Sequence, residues 1–286
     1  MKNFWGHLAR LIMAFFIAIM LGFLFVPLLS VFVSMPPGEL FEKLNTQISY
    51  QALYLSLGTT IIALIIIILL GTPVAYWLAK SHFWGNRVVR VLIQMPIVSP
   101  PAVAGVGLLL IFGRIGWLGS TLSFFGLSFS FNIQAVIMAQ VFISAPFYIS
   151  SAMQAFETID EKFLAVSRTL GVSRWKTFWR VSIPLSSAGL LTGAALSWGR
   201  ALGEFGATMM FAGNLPGKTQ TLPLAIYTAM QSDNKVAIAM SALLLFISFV
   251  LLLLVVLIGR MSNFTQNSKD KGGKTDALVS LSKESA

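Results

Sequence analysis

The sequence predicts an all-α fold, a polytopic membrane bundle of about six helices. Apolar residues fill 56% of the 286 positions and charged residues only 10%, where a soluble domain carries about 25% charged residues. The apolar residues gather into uninterrupted runs, and about 20 of them cross a hydrocarbon core as a helix. The Lys and Arg residues behind the net charge of +10 stand between those runs. There they set topology and form no patch of the kind that binds nucleic acid.

The chain opens with a basic segment, 1–10, read as a cytoplasmic N-terminus. The first span, Leu11–Val33, outruns the apolar core of a cleaved signal peptide, about 7–15 residues. Met35-Pro36-Pro37 follows it where a small-residue cleavage site would stand, so it reads as a retained helix. The second span is Ala52–Ala79. The third, Val88–Phe112, contains Pro96, Pro100 and Pro101 and must kink or break. Broken backbone at membrane depth is tolerated only against protein or a water-lined cavity, which places this helix inside the bundle. The fourth span is Asn132–Met153. The fifth, Leu185–Phe211, carries Gly189, Gly193, Gly199, Gly203 and Gly206. Small residues four apart let helices approach closely in lipid, and the same glycines would also serve a flexible gating helix. The sixth span, Val236–Gly259, completes a membrane domain over 11–261. The Ser- and Lys-rich tail, 262–286, lacks apolar periodicity and reads as solvated and disordered.

With the N-terminus inside, fifteen of the twenty Lys and Arg residues fall on the cytoplasmic side. Lys43, Arg114, Lys218 and Lys235 fall outside, and Arg200 lies within a span. Both termini are therefore expected in the cytoplasm. The absence of cysteine excludes disulfides, thiol catalysis and thiolate metal sites. His7 and His82 are the two imidazoles, too few for a His-based metal or general-base site. No catalytic set and no metal site is expected.

The longest segment outside the membrane is 154–184. Thr158 or Asp160 can cap a helix whose apolar Phe163, Leu164, Val166 and Leu170 are expected on one face. Gly171 suits its C′ position. Ser173 can cap a second short helix bearing Trp175, Phe178 and Trp179, and Pro184 opens the fifth span. Basic and aromatic residues would suit a helix pair lying on lipid headgroups. They would equally suit an apolar face docked in the groove of a soluble partner.

This loop resembles the cytoplasmic loop of permease subunits of binding-protein-dependent ABC importers. The family pattern runs Glu-Ala-Ala, three residues, Gly, nine residues, Ile-x-Leu-Pro. Gly171 and Pro184 stand at its spacing, with Val181 and Ile183 in the closing positions and Ala165-Val166-Ser167 in place of the opening triplet. The resemblance implies a type I importer permease fold. It also implies a coupling helix over Asp160–Leu170, with Leu164, Ala165, Ser167, Leu170, Gly171 and Pro184 among the residues that engage an ATPase.

Within the fifth span, Arg200 and Glu204 stand four apart, a spacing that pairs side chains on one helix face. Ionisable groups inside a membrane are costly and mark functional candidates. The pair satisfies itself structurally, or it lines or gates a path; a simple ion pair would tolerate exchange of the two charges. The segment 197–227 resembles molybdate-type permeases, in which R-x-x-G-E-F-G-A-T leads into F-x-x-N-x-P-G-x-T-x-T-x-P. The matching residues are Arg200, Gly203, Glu204, Phe205, Gly206, Ala207 and Thr208, then Phe211, Asn214, Pro216, Gly217, Thr219, Thr221 and Pro223. Sulfate and thiosulfate permeases share the Gly-Glu-aromatic-Gly core and diverge after it.

The resemblance implies an importer of molybdate or tungstate, with Arg200, Glu204, Phe205 and Thr208 near the path. Asn214, Pro216 and Lys218 would lie where an extracytoplasmic oxyanion-binding protein docks. It further implies a second copy of the chain and two ATP-binding cassette subunits, with ATP and Mg on those subunits and no cofactor in this chain. Residues 212–219 come close to a phosphate-binding P-loop, but Ala212 replaces its first glycine and Pro216 removes a needed N–H. An ion-coupled secondary transporter would need midplane carboxylates in repeat-related places; Glu204 alone qualifies, and no internal repeat is evident.

Overall fold

The computed structural model describes residues 2–81, 83–125, 129–254 and 257. The predicted tail 262–286 and the end of the sixth span lie outside them. The described residues form helices: α1 (Lys2–Val33), α2 (Pro37–Leu44), α3 (Gln47–Lys80), α4 (Asn86–Val98), α5 (Pro101–Phe112), α6 (Gly119–Phe124) and α7 (Ile133–Glu157). They continue with α8 (Glu161–Thr169), α9 (Arg174–Thr177), a π turn (Phe178–Ser182), α10 (Ile183–Leu202), α11 (Gly206–Phe211), α12 (Leu222–Ser232) and α13 (Asn234–Leu254).

Five helices are long and apolar enough to cross a membrane, and the bent pair α4–α5 makes a sixth. The prolines break the third span as expected. Val98 ends α4, Ser99 and Pro100 are extended, and α5 leaves at 111° to α4. The fifth span departs from expectation, because it is two helices rather than one. Helix α10 stops at Leu202, and α11 starts at Gly206. Glycine weakens helical preference by about 1 kcal/mol relative to Ala, and Gly199, Gly203 and Gly206 cluster at this break.

Helix α7 is the axis. Helices α3 and α10 pack along it, α4, α5 and α11 also touch it, and α12 leans on α3. Lipid provides no hydrophobic force between helices, so small residues and interhelical hydrogen bonds hold them. A Cβ added at Gly189 would collide with the Ala155 Cβ, and one at Gly193 would lie 2.8 Å from the Ser151 Cβ. Close packing, the first of the two readings of the glycine-rich span, therefore accounts for these two. Ser197 Oγ donates to the Ser144 carbonyl at 2.9 Å, and Gln140 Nε2 donates to Thr59 Oγ1 at 3.1 Å. Trp198 Nε1 donates to Thr60 Oγ1 at 3.0 Å. At the α8 end the core turns aromatic, with Tyr76 edge-on to Phe156 and Phe178 at 5.2 and 4.8 Å.

At the opposite end α2 is clasped to the α12–α13 junction by the Lys43–Asp233 and Lys235–Glu39 ion pairs. The hydrogen bond from Lys43 holds the Asp233 carboxyl below its ordinary range. By contrast, α1 buries none of its most apolar stretch against the rest of the chain.

Replacing Gly189 by Leu should force α7 and α10 apart and cost about 1–3 kcal/mol, the usual range for overpacking. Gly199→Ala, where an added Cβ meets nothing within 4 Å, should leave stability unchanged or raise it. Thermal unfolding in detergent measures both.

Candidate functional site

The two broken spans meet at their breaks. A Cβ on Gly206, the first residue of α11, would lie 2.9 Å from the Pro101 Cβ at the start of α5. One on Gly105 would lie 2.7 Å from both the Ala207 carbonyl oxygen and the Met210 Cβ. Glycine at both positions lets α5 and α11 cross backbone to backbone. Discontinuous helices that meet inside a membrane are the usual builders of transport sites.

Glu204 lies in this crossing, in the turn between α10 and α11, and is 1% exposed. Its Oε1 accepts the Ala207 N–H at 2.7 Å, and its Oε2 lies 2.9 Å from Arg200 Nη1. That second contact is an ion pair without hydrogen-bond alignment, so Oε2 is a buried acceptor with no hydrogen bond. The two residues thus pair as expected, but across a helix end rather than along one helix face. Arg200 is partly exposed, at 29%. Thr208 Oγ1, one turn into α11, is also buried without a partner, and Phe205 packs on Tyr227 with ring centroids 5.4 Å apart. Arg200, Glu204, Phe205 and Thr208 are therefore brought together on one small structure.

The segment 154–184 forms its first helix as expected. Asp160 Oδ1 accepts the Lys162 N–H at 2.9 Å ahead of α8. Gly171 has φ +73°, and the Val172 N–H returns to the Ser167 carbonyl at 3.1 Å, which closes a Schellman end. The apolar set does not share one face, however. Leu164 is buried in the aromatic core, and Ser167 is buried with its hydroxyl 2.8 Å from Thr177 Oγ1. Phe163, Val166 and Leu170 face outward at 58%, 57% and 75% exposure, and Ala165 is exposed with them. The spacing i, i+3, i+7 makes these three a stripe. The second helix is not a separate one either. Capped by Ser173, α9 runs through the π turn into α10 as one 29-residue rod, Arg174–Leu202, with Pro184 in its first α10 turn.

Of the residues expected to face a binding protein, Pro216 and Lys218 are exposed. Asn214 is spent within the loop: its Nδ2 donates to Thr228 Oγ1 and its Oδ1 accepts from Gln220 Nε2, each at 2.9 Å. The N–H groups of Lys218, Thr219 and Gln220 all converge on the Leu215 carbonyl at 2.9–3.1 Å. They form no phosphate cradle. Sequence reasoning missed Arg90, which it counted only as a topology charge and which joins three elements.

Crossed broken spans around a buried carboxylate and its partly exposed arginine, with an amphipathic helix at one end, define a membrane transport permease. The chain matches the family described as binding-protein-dependent transport system inner membrane component over residues 71–263, and it belongs to that family. It is 39% identical over 242 residues to the probable transport system permease protein NifC of Clostridium pasteurianum, covering 83% of this chain and 84% of that one. It is 38% identical over 231 residues to the molybdenum transport system permease protein ModB of Mycobacterium tuberculosis, covering 81% and 88%. In fold it is similar to a chain of a bacterial ABC transporter involved in the import of the acidic polysaccharide alginate. That match has a TM-score of 0.69 at 16% identity over 92% of this chain and 96% of that one.

Glu204→Leu leaves the buried Ala207 N–H without its acceptor and the partly exposed Arg200 without its pair, and should cost about 1–3 kcal/mol, the penalty of an unsatisfied buried donor. Glu204→Gln keeps an acceptor and should cost less. Exchanging the two charges should rank with the leucine variant, because an arginine at 204 cannot accept from Ala207. Melting temperatures in detergent that do not differ among the three variants would remove the capping role.

Proposed function

We propose that the chain is the permease subunit of an ATP-driven importer that carries molybdate, or the isosteric tungstate dianion, across the cytoplasmic membrane. The observation that carries this reading is the kinship to molybdenum permeases over four fifths of the chain. The Arg200–Thr208 segment, which forms the crossing of broken spans, falls inside the family match. The chain acts as a transport component, with ATP and Mg bound by separate cassette subunits.

Both termini face the cytoplasm in this reading, and so does α8. The outward stripe of Phe163, Val166 and Leu170 inserts into a groove on the ATPase, while Leu164 and Ser167 fix α8 to its own bundle. Helix α1, apolar on all sides and unburied by its own chain, is available to lipid and to a second copy of the chain. A homodimer encloses one path, with Arg200 of each copy offering partly exposed cationic donors to a dianion. Glu204 holds that arginine in place and tempers its charge, since a passing anion must be able to leave. A binding protein delivers the oxyanion at the end bearing Pro216 and Lys218.

Uptake of molybdate into liposomes containing the permease, its ATPase and its binding protein tests the substrate. ATP-dependent molybdate uptake that tungstate suppresses and sulfate does not is the expected outcome. Preferential sulfate uptake would overturn the assignment. At φ +73°, a β-branched residue at 171 meets a left-handed penalty of about 1–2 kcal/mol. Gly171→Val should accordingly lose co-purified ATPase and uptake. Gly171→Asn, which tolerates that conformation, should keep most of both.

A further inference from the structure

Arg90 stands where three helices converge. Its Nε donates to Asn86 Oδ1 on α4 at 2.7 Å, its Nη2 donates to the Leu78 carbonyl near the end of α3 at 2.8 Å, and its Nη1 pairs with Glu157, the last residue of α7. Asn86 Nδ2 adds bonds to the Leu78 carbonyl at 3.1 Å and to the Ser81 carbonyl. Two residues beyond Glu157, the Ile159 carbonyl accepts from Lys80 Nζ at 3.2 Å. The strand of chain that leads into α8 is thus held to α3 and to α4 at two closely spaced points. A cavity of about 840 Å³ opens beside them, lined in part by Arg87, Arg90, Glu157 and Glu161.

The plainer account is that Arg90 satisfies the last carbonyls of α3. Its bonds to Leu78 and Asn86 are explained that way, since a helix leaves its final carbonyls without partners. The Glu157 pair is not. It does nothing for α3, and among the described residues it is the ion pair that joins α4 to α7. Side chains 29% and 38% exposed form a screened and individually weak link, suited to being strained and released rather than to holding a fold. Helix α4 in turn ends at the break whose far side, Pro101, abuts Gly206 beside Glu204.

We propose that Arg90 and Glu157 are positioning residues for coupled transport. They transmit displacement of α8 to α4, and through the Ser99–Pro100 break to the α5–α11 crossing. The inference rests on α8 as the ATPase contact, and the experiment separates the two. In the complete importer, reconstituted with its ATPase and binding protein, molybdate uptake per ATP hydrolysed is compared among Glu157→Gln, Arg90→Lys, Arg90→Gln and the Arg90→Gln/Glu157→Gln double variant. Glu157→Gln removes the charge from the α4–α7 link, leaving a neutral acceptor, and spares the Leu78 and Asn86 bonds.

Its uptake per ATP should fall about fivefold or more, the size of a modest coupling energy, with co-purified ATPase unchanged. The double variant should be no worse than Arg90→Gln, and Glu157→Asp should restore the ratio. An unchanged ratio in Glu157→Gln, additive losses in the double variant, or a loss of assembled complex that Glu157→Asp does not restore would each overturn the proposal. Phe163→Asp on the outward stripe tests the underlying reading alone. If ATPase still co-purifies with that variant, α8 is not the contact, whatever the Glu157 result.

Discussion

Hydrocarbon supplies no hydrogen bonds, so every backbone N–H and C=O at membrane depth has to find its partner inside the chain. Continuous helices meet that demand alone. This chain interrupts two of its spans, at Ser99–Pro100 and at Gly203–Phe205, and the rest of the architecture serves those interruptions. Proline removes one donor at the first break outright. At the second, the Glu204 carboxylate takes up the Ala207 N–H. Gly105 and Gly206 place the two breaks against each other, with the starts of α5 and α11 in backbone contact. A buried carboxylate is costly on its own, and the nearby Arg200 offsets that cost while remaining partly exposed.

The packing elsewhere follows from the same medium. Large apolar side chains on α1, α3 and α13 stay exposed on the isolated chain because lipid is as favourable a neighbour as protein. Much of the interior is alanine, glycine and serine, with Phe211, Leu202, Leu222 and Met240 as larger buried members. Buried Ala135, Ala139, Ala152 and Ala207 line the contacts of α7 and α11, and hydroxyl and amide groups bond between helices. Such a core is held by proximity rather than by bulk. At the α8 end, Tyr76, Phe156 and Phe178 form an aromatic plug at the π turn. That plug is where the bundle has to resist force, if α8 is where force arrives.

Much of this was legible in the residues. Apolar run length located the spans, because length is set by the bilayer. Pro96, Pro100 and Pro101 announced the break in the third span, because proline acts locally whatever surrounds it. Gly171 was legible for the same reason, and its positive φ agrees. The break after Leu202 was not. Glycine permits an interruption without requiring one, and the deciding contact, Gly206 against Pro101, lies about a hundred residues away in sequence. The four-residue spacing of Arg200 and Glu204 gave the right pairing for a helical reason that does not hold. On α8 the spacing put Phe163, Leu164, Val166 and Leu170 on one broad face, and only the tertiary fold divides Leu164, turned inward, from Phe163, Val166 and Leu170, turned outward. Arg90 was hidden in plain view, since a basic residue in the first turns of a span is adequately explained by topology. Nothing in one strand of sequence shows that Glu157, Leu78 and Asn86 converge upon it.

The geometry around α8 has a mechanical asymmetry. On its C-terminal side the chain re-enters the membrane as one rod, Arg174–Leu202, whose 29 residues span about 43 Å at 1.5 Å per residue. On its N-terminal side the chain leaves α7 through a short joint held by side chains, Glu157 on Arg90 and the Ile159 carbonyl on Lys80. A displacement of α8 would therefore reach the crossing by two unlike routes. Along the rod it would arrive stiffly, at Arg200 and the turn that carries Glu204. Through the joint it would arrive by way of α4, whose end is the Ser99–Pro100 break. The two routes terminate on opposite sides of the same contact, Gly206 against Pro101. A contact loaded from both sides, by members of different stiffness, shears rather than translates. Gly105 and Gly206 bring no side chain of their own to that contact, and Pro101 and Met210 supply the Cβ atoms across it.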